Sequence, residues 1–436
     1  MAHGVVVVGA GAAGMSAALA LRERGLAPLL IEAEDRAGGK LGTESRRGFL
    51  LERAALGLLD RTGELAELCG KLGLAPCPAS PAASLRFLER EGSIHALPHG
   101  LLGGLGTRLL SAREKLAVLG EPFRRPAREG STVSEFFAHR LGPGGRFLGD
   151  ALQTGIHAGD PERLELHTAF PTLAALAEAG RGSLFRGVLA GPAGKAKRRP
   201  ARLSSFRGGM QELVDALSRQ TLPQLRARLR AVRPAAAGYR LQLEAGGTAS
   251  EIDAERVILA VPAPRAAEAL EGLDAPLAAR LRELEAAAIT LVHLAVQPED
   301  AAPLHRGFGL LRPGRPVLGA LFPAALWPDR APGGQALLTA LVGGARHPQA
   351  AALPDEALVG LVRDELRLPR PPDLLRVVRW PEAIPQYQAG HAARIAEIER
   401  LTSTHPGLGL TGAWYRGVGV LDCLRDGRKI AEELTK

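Results

Sequence analysis

Gly9, Gly11 and Gly14 follow a run of four valines, and an acid, Glu32, stands 21 residues beyond Gly11. Residues of these types at this spacing bind a dinucleotide. Gly9 permits a tight turn, Gly11 lets backbone approach a pyrophosphate, and Gly14 lets a helix pack on a strand. Glu32 offers a carboxylate to the hydroxyls of a ribose. Arg36, Gly38, Gly39 and Lys40 then add two cations and two small residues suited to further phosphate contact. A second glycine set closes the chain, with Thr411-Gly412 followed by Gly417-Val418-Gly419-Val420. It reads as a strand end, a turn and a helix start near Val420, whose N-terminus turns positive partial charge toward an electron-rich ring. No Ser–His–Asp set, carboxylate pair or metal cluster accompanies them, so no catalytic side chain and no metal is expected.

The elements that must position these residues follow from periodicity. Val5–Val8 and Leu29–Ile31 read as strands flanking an Ala/Leu-rich helix. Helical spacing recurs at 101–113, 114–123, 133–141, 146–154 and 211–220. Strand patterns fall at 239–244, 257–261, 289–296, 307–311 and 336–342. The expected organisation is α/β with interleaved domains. A dinucleotide-binding domain takes residues 1–80, 197–265 and 401–436. A mixed-sheet substrate domain takes 81–99 and 266–400, and a helical subdomain takes 100–196.

Composition fits an enzyme with a large core. The chain has 436 residues, 46% of them hydrophobic and 23% charged, which exceeds one domain's usual length. Cys69, Cys77 and Cys423 form no C-x-x-C pair, so neither a disulfide framework nor a zinc site is expected and a reduced, cytoplasmic setting fits. The apolar start lacks a basic lead and is broken by the glycines of the turn, so it reads as a strand and not as an export signal. The net charge of +9 is concentrated between Gly180 and Met210, where Arg181, Arg186, Lys195, Lys197, Arg198, Arg199, Arg202 and Arg207 stand without an acid. No nucleic-acid module accompanies this run. An anionic membrane surface or a carboxylate substrate is the expected partner, with a solvated basic loop as the plain alternative.

The Glu32-to-Lys40 run and the C-terminal glycine turn together resemble the flavoprotein group of amine oxidases, phytoene desaturases and protoporphyrinogen oxidases. That resemblance implies non-covalent FAD in a Rossmann-like domain. It implies FAD contacts from Gly9, Gly11, Gly14, Glu32, Arg36, Gly38, Gly39, Lys40, Gly412, Gly417, Val418, Gly419 and Val420. Leu229 is a further contact, from its backbone to adenine. Leu421 departs from the pattern, since relatives carry Asn there. Several strings resemble the protoporphyrinogen oxidase branch: Leu152-Gln-Thr-Gly155-Ile-His157-Ala-Gly159, Ser204-Ser-Phe206-Arg-Gly-Gly209, Gly307-Phe308-Gly309-Leu-Leu311 and Ile384-Pro385-Gln386-Tyr387-Gln-Ala-Gly390-His391.

The branch implies oxidation of protoporphyrinogen IX to protoporphyrin IX in haem biosynthesis, with dioxygen reduced to hydrogen peroxide. Coproporphyrinogen III is the alternative substrate, and a non-catalytic binding protein on the same scaffold is the remote one. It implies that Arg86 meets a propionate, that the loop residue Gly155 turns its carbonyl to pyrrole N–H groups, and that Phe308, Leu311 and Leu341 sandwich the ring. His157 stands where relatives carry an aromatic, and Cys423 is given no redox role. The expected partners are a porphyrinogen, dioxygen and the inner face of the cell membrane, contacted peripherally by the helical subdomain. A second copy of the chain is a further candidate partner.

Overall fold

The computed structural model describes residues 2–98, 106–190 and 201–435. Val5, Val6, Val7 and Val8 are all buried. Their strand, Ala2–Val8, lies inside a six-stranded sheet in the order Ala227–Ala235, Gly238–Ala245, Thr248–Leu259, Ala2–Val8, Leu29–Ile31, with Leu408–Leu410 pairing Thr248–Leu259. A parallel strand covered on both faces has no polar side, which is why the run is continuous rather than alternating. Val6 and Val8 enter one core with Leu277, Leu281 and Ile398, and Val5 and Val7 enter another with Met15, Leu213 and Leu424. Residues from the helices Ala263–Leu270, Ala275–Arg282 and His391–Thr402 thus pack on this first sheet, although these helices lie wholly or mostly within the 266–400 stretch expected to belong to the second.

The parallel register places the site. Val8 pairs with both Ile31 and Leu259, and Leu259 pairs with Leu410. The residues that follow, Gly9, Glu32 and Thr411, therefore emerge at one edge, the carboxyl end of the parallel strands. Ligands of open α/β sheets bind there.

The second sheet has seven strands in the order Asp373–Pro385, Ala286–Val296, Ala336–Gly343, Val317–Leu321, Gly309–Leu311, Arg86–Arg90, Ser93–Ala96. Every pairing is antiparallel except Gly309–Leu311 with Arg86–Arg90. A helical segment lies between Ser93–Ala96 and Arg202–Ser205. Its helices Ala112–Leu119 and Val133–Leu141 each open with a capping box, Ser111 with Glu114 and Thr132 with Glu135.

Two helix boundaries differ from the sequence reading. The expected 114–123 helix ends at Leu119, and Glu121–Phe123 is a separate 3-10 turn, because Gly120 and Pro122 interrupt the helical ladder. The expected 146–154 helix extends to Pro143–Ile156, with Pro143 at its favoured first position. Residues 101–105 of the expected 101–113 helix, and Lys195, Lys197, Arg198 and Arg199 of the basic run, lie outside the described residues. The rest of that expected helix is not borne out, since 107–111 are non-helical and Ala112 and Arg113 instead open the Ala112–Leu119 helix behind the Ser111 cap. Among the described residues no helix is long and apolar enough to cross a membrane.

Candidate active site

The dinucleotide cradle is built mostly of backbone. Gly9 has φ +98°, and its N–H donates to the Ile31 carbonyl at 2.8 Å. A side chain at Gly14 would stand 1.8 Å from the Gly9 carbonyl oxygen, so only glycine lets the Ala12–Glu23 helix approach the turn this closely. Gly11 caps that helix without any side-chain hydrogen bond, and the space a Cβ would occupy there is open to 4 Å. Helical N–H groups with no internal partner thus face an open volume, the arrangement that binds phosphate.

Glu32 is buried and aimed by its own backbone neighbours. One carboxylate oxygen accepts from Ala10 N–H at 2.7 Å and the other from Glu34 N–H at 3.0 Å. Each oxygen keeps a lone pair for a ribose hydroxyl. Ala227 N–H donates to the Glu32 carbonyl, which brings the start of the Ala227–Ala235 strand, and Leu229 within it, beside the acid.

Arg36 points into its own loop. Its guanidinium donates to the carbonyls of Ala37, Gly39 and Leu41. It shapes the Gly38-Gly39 bend, and Gly38 N–H donates to the Ala10 carbonyl at 2.7 Å. Burial lowers its pKa, with Arg53 nearby adding to the effect. Lys40 donates to the Ala383 carbonyl at 2.6 Å and so ties this loop to the second sheet. Burial lowers the Lys40 pKa as well.

The second glycine set arrives at the same edge. Gly412 has φ +141° and Gly417 φ +148°. The Val420–Glu433 helix then packs tightly on the first helix, since a side chain at Gly427 would meet the Ala13 carbonyl oxygen at 2.0 Å. Leu421, the departure from the family pattern, is buried in the core that holds Met15 and Leu424. Burial pushes the Cys423 thiol up to about 12, so it stays protonated and a poor nucleophile.

The expected substrate residues divide into a tight group and a rim. Leu311, Gly319, Leu341 and Leu291 register as one row across four strands of the second sheet. Leu341 is half-buried against a cluster that includes Leu291, Leu318 and Trp380. Gly155 faces Leu311, since a Cβ there would lie 3.2 Å from the leucine Cδ1. The expectation of a loop at Gly155 is corrected. It sits in the last turn of the Pro143–Ile156 helix, and helix-terminal carbonyls have no intrahelical partner, so its C=O is available to a donor. At the rim, exposed Arg86 lies over the Phe308 ring, 5.0 Å from its centroid, with its Nε donating to the Ala83 carbonyl at 3.3 Å.

His157 is a packed residue. It is buried, its Nε2 lies 3.0 Å from the Ala169 carbonyl, its ring meets Phe170 edge-on, and burial lowers its pKa.

Three buttressing residues had no legible signal in the sequence. Glu52, buried, accepts from Thr43 Oγ1 at 2.7 Å and from Met210 N–H. Fully buried Arg330 lies 3.3 Å from Glu52 and donates to Ser205 Oγ and to the carbonyls of Phe206 and Arg207. Together they hold the 204–210 segment behind the cradle. Thr43 and Glu52 pair across the Thr43–Arg46/Phe49–Glu52 hairpin, but their partners Met210 and Arg330 lie far away in sequence, so no local pattern marks the set.

Comparison with known proteins extends this picture. The pattern of the family described as flavin containing amine oxidoreductase matches residues 12–435. A coproporphyrinogen III oxidase from Bacillus subtilis (strain 168) is 28% identical over 99% of this chain and 98% of its own length. The chloroplastic protoporphyrinogen oxidase of Nicotiana tabacum is 30% identical over 99% of this chain and 85% of its own. A crystal structure from Exiguobacterium sp. 255-15, provisionally named protoporphyrinogen oxidase, superposes with a TM-score of 0.83 at 25% identity over 100% of this chain and 99% of that one. Putrescine oxidase, with a TM-score of 0.70 at 18% identity, shares the fold.

Proposed function

The chain belongs to the flavin containing amine oxidoreductase family, and from that premise we propose that it oxidises a porphyrinogen to the porphyrin. Protoporphyrinogen IX is the first substrate and dioxygen the acceptor. The reading is supported chiefly by near full-length likeness to relatives named for porphyrinogen oxidation. The cofactor is FAD, and the cradle suits it. The open space over Gly11, the uncapped helix start and the ribose-facing Glu32 match a pyrophosphate and a sugar. Bound FAD supplies a two-electron acceptor for a hydride from a meso carbon and returns the electrons to dioxygen as hydrogen peroxide.

In this reading the chain itself binds, orients and shields. The helix start at Gly11 meets the pyrophosphate, and Gly9 and Gly14 let turn and helix close around it. The Gly38-Gly39 bend, shaped by Arg36 and anchored by Lys40, lines the rest of its path, while the Leu229 backbone meets the adenine. Gly412 and the Gly417–Val420 turn meet the ring. Leu311, Leu341 and Phe308 flank the macrocycle with apolar surface that excludes water. The Gly155 carbonyl, at the negative end of its helix, accepts from pyrrole N–H groups and fixes the face presented. Arg86 meets a propionate at the rim, where a guanidinium matches a carboxylate bidentately.

Coproporphyrinogen III is the second reading, favoured by the match to the Bacillus subtilis relative. Fluorescence-monitored turnover of the two porphyrinogens by the purified flavoprotein in air, with peroxide measured alongside, tests both. Porphyrin formed in step with peroxide is expected. No turnover of either substrate overturns the assignment.

We further propose that the helical segment contacts the cytoplasmic face of the membrane peripherally. The support is a group of outward apolar side chains, Leu116, Leu119, Phe123, Val188 and Leu189, of which Phe123 is 86% and Leu189 85% exposed. Exposed Arg113, Arg125, Arg128 and Arg186 belong to the same segment. Apolar side chains combined with basic ones suit an anionic interface. Sedimentation with anionic vesicles at low salt is expected to carry the protein down, and its absence there sinks this part.

A further inference from the structure

The 413–417 turn contains an inserted side chain. Ala413–Arg416 is one helical turn, and a helix would continue with Gly417 N–H donating to the Ala413 carbonyl. Instead the Tyr387 hydroxyl stands between them. It accepts from Gly417 N–H at 2.9 Å and donates to the Ala413 carbonyl at 2.5 Å. One oxygen thus takes both ends of a missing backbone bond. Insertion of a group into the helical ladder opens the turn, and the chain leaves it at Gly417 with φ +148°. Gly417 leads directly through Val418 and Gly419 into the Val420–Glu433 helix.

Tyr387 is itself held firmly. It is 4% exposed, and its ring stacks on His391 with centroids 4.2 Å apart. Its carbonyl accepts from Glu165 N–H at 3.0 Å. Its neighbours are tied to the same helical segment, with Gln386 Nε2 donating to the His157 carbonyl and Ala389 N–H to the Arg163 carbonyl. Gly155 lies two residues before His157. Burial raises the tyrosine pKa well above its ordinary value, so the hydroxyl keeps the proton it donates.

We propose that Tyr387 is a positioning residue for the flavin, its hydroxyl holding the 413–417 turn open so that the Gly417–Val420 helix start stands where the ring requires it. The inference rests on the reading that this turn meets FAD. It acts through the turn and not through substrate contact, so its loss should slow the oxidation step without weakening substrate binding. In Tyr387→Phe the ring and its stack on His391 remain, and only the bridging oxygen is lost.

The test uses three readouts on full-length protein. Hydrogen exchange of the 413–419 segment is expected to quicken in Tyr387→Phe, both without and with FAD. The flavin visible spectrum and midpoint potential are expected to shift. Turnover at saturating porphyrinogen is expected to fall about three- to tenfold, the worth of one neutral hydrogen bond, with KM changed less than about twofold. An unchanged spectrum and potential overturns the proposal, as does a rise in KM with turnover intact. Faster exchange with an unaltered flavin also overturns it, and locates the failure in the reading that the turn meets FAD. If Tyr387→Phe does not fold, the wild type decides. A Gly417 amide that exchanges as fast as an exposed loop overturns the clamp, and a protected one supports it.

Discussion

The cradle and the substrate face lie side by side but are built on different terms. The cradle is mostly backbone: Gly9, Gly11 and Gly14 within six residues, their amides and the acid that closes the unit, all fixed by one strand–turn–helix–strand. The proposed substrate face is side chains from strands and a helix far apart in the chain, with Leu311 and Leu341 aligned only through the Val317–Leu321 strand between them. A backbone site tolerates no added atom where its ligand runs. A side-chain site should respond in proportion to the group removed.

The sharpest test of that contrast is Gly11→Val. No protein atom lies within 4 Å of the new Cβ, so the chain should fold. The side chain would occupy the pyrophosphate's path, and complete loss of flavin absorbance in soluble, folded protein is expected. A yellow Gly11→Val protein would break the backbone account of the cradle.

The same contrast explains what was legible in the sequence. The glycine turns were readable because each does a local job at a fixed spacing, and the sheet register then brought two sets 400 residues apart to one edge. The helical spacing stops at 154, one residue short of Gly155, and the loop at Gly155 rests on the family resemblance alone; in the structure the helix runs on to Ile156. Gly149 is tolerated because the Phe137 ring packs on it, within 2.9 Å of an added Cβ. Glu52, Thr43 and Arg330 were invisible because their partners lie on other elements. Tyr387 was visible only as part of a string, since its hydroxyl acts on a turn 26 residues away.

On the substrate face, Gly155→Val should separate the two regions. Its Cβ meets only the mobile end of Leu311, at 3.2 Å, so folding and FAD binding should survive. The added bulk displaces the macrocycle, and kcat/KM should fall at least about a hundredfold, since misplacement of about 1 Å costs that much. Loss of flavin in this variant would mean that the two regions are not independent.

Glu52 lies between the regions, and its burial raises its pKa to about 7 despite the help of Thr43 and Arg330. The sign follows from proton counting. Between about pH 4.5 and 7 the folded chain keeps a proton that the unfolded chain has released, so this residue's contribution to stability falls as pH rises. Buried His293, lowered to about 4 mainly by desolvation, slopes the opposite way between about pH 6.5 and 4. Glu52→Gln isolates the acid. Its denaturation midpoint should rise relative to wild type as pH goes from about 4.5 to 7, by an amount on the order of a few kcal/mol in stability. A pH-independent difference would remove the acid from this account.

The smallest expected effect is at the rim. Arg86 has its Nε on the Ala83 carbonyl and its guanidinium over Phe308, and it faces solvent. A buried charge-assisted contact to a propionate would contribute about 1.5–3 kcal/mol, but exposure and screening reduce such pairs to about 0.2–1 kcal/mol. Arg86→Ala should therefore raise KM only about two- to fivefold, with kcat nearly unchanged, the pattern of lost ground-state binding. Arg86→Lys should recover part of that loss, because an ammonium keeps the charge but not the fork. The effect should shrink as salt rises from low to physiological strength, since exposed charges are screened. A salt-independent loss larger than about tenfold would mean that the bound macrocycle buries Arg86, and the rim would then share the all-or-none character of the cradle. Wild-type kinetics on both porphyrinogens would take Arg86 out of the site and leave the apolar row of Leu311 and Leu341 as the face that meets substrate.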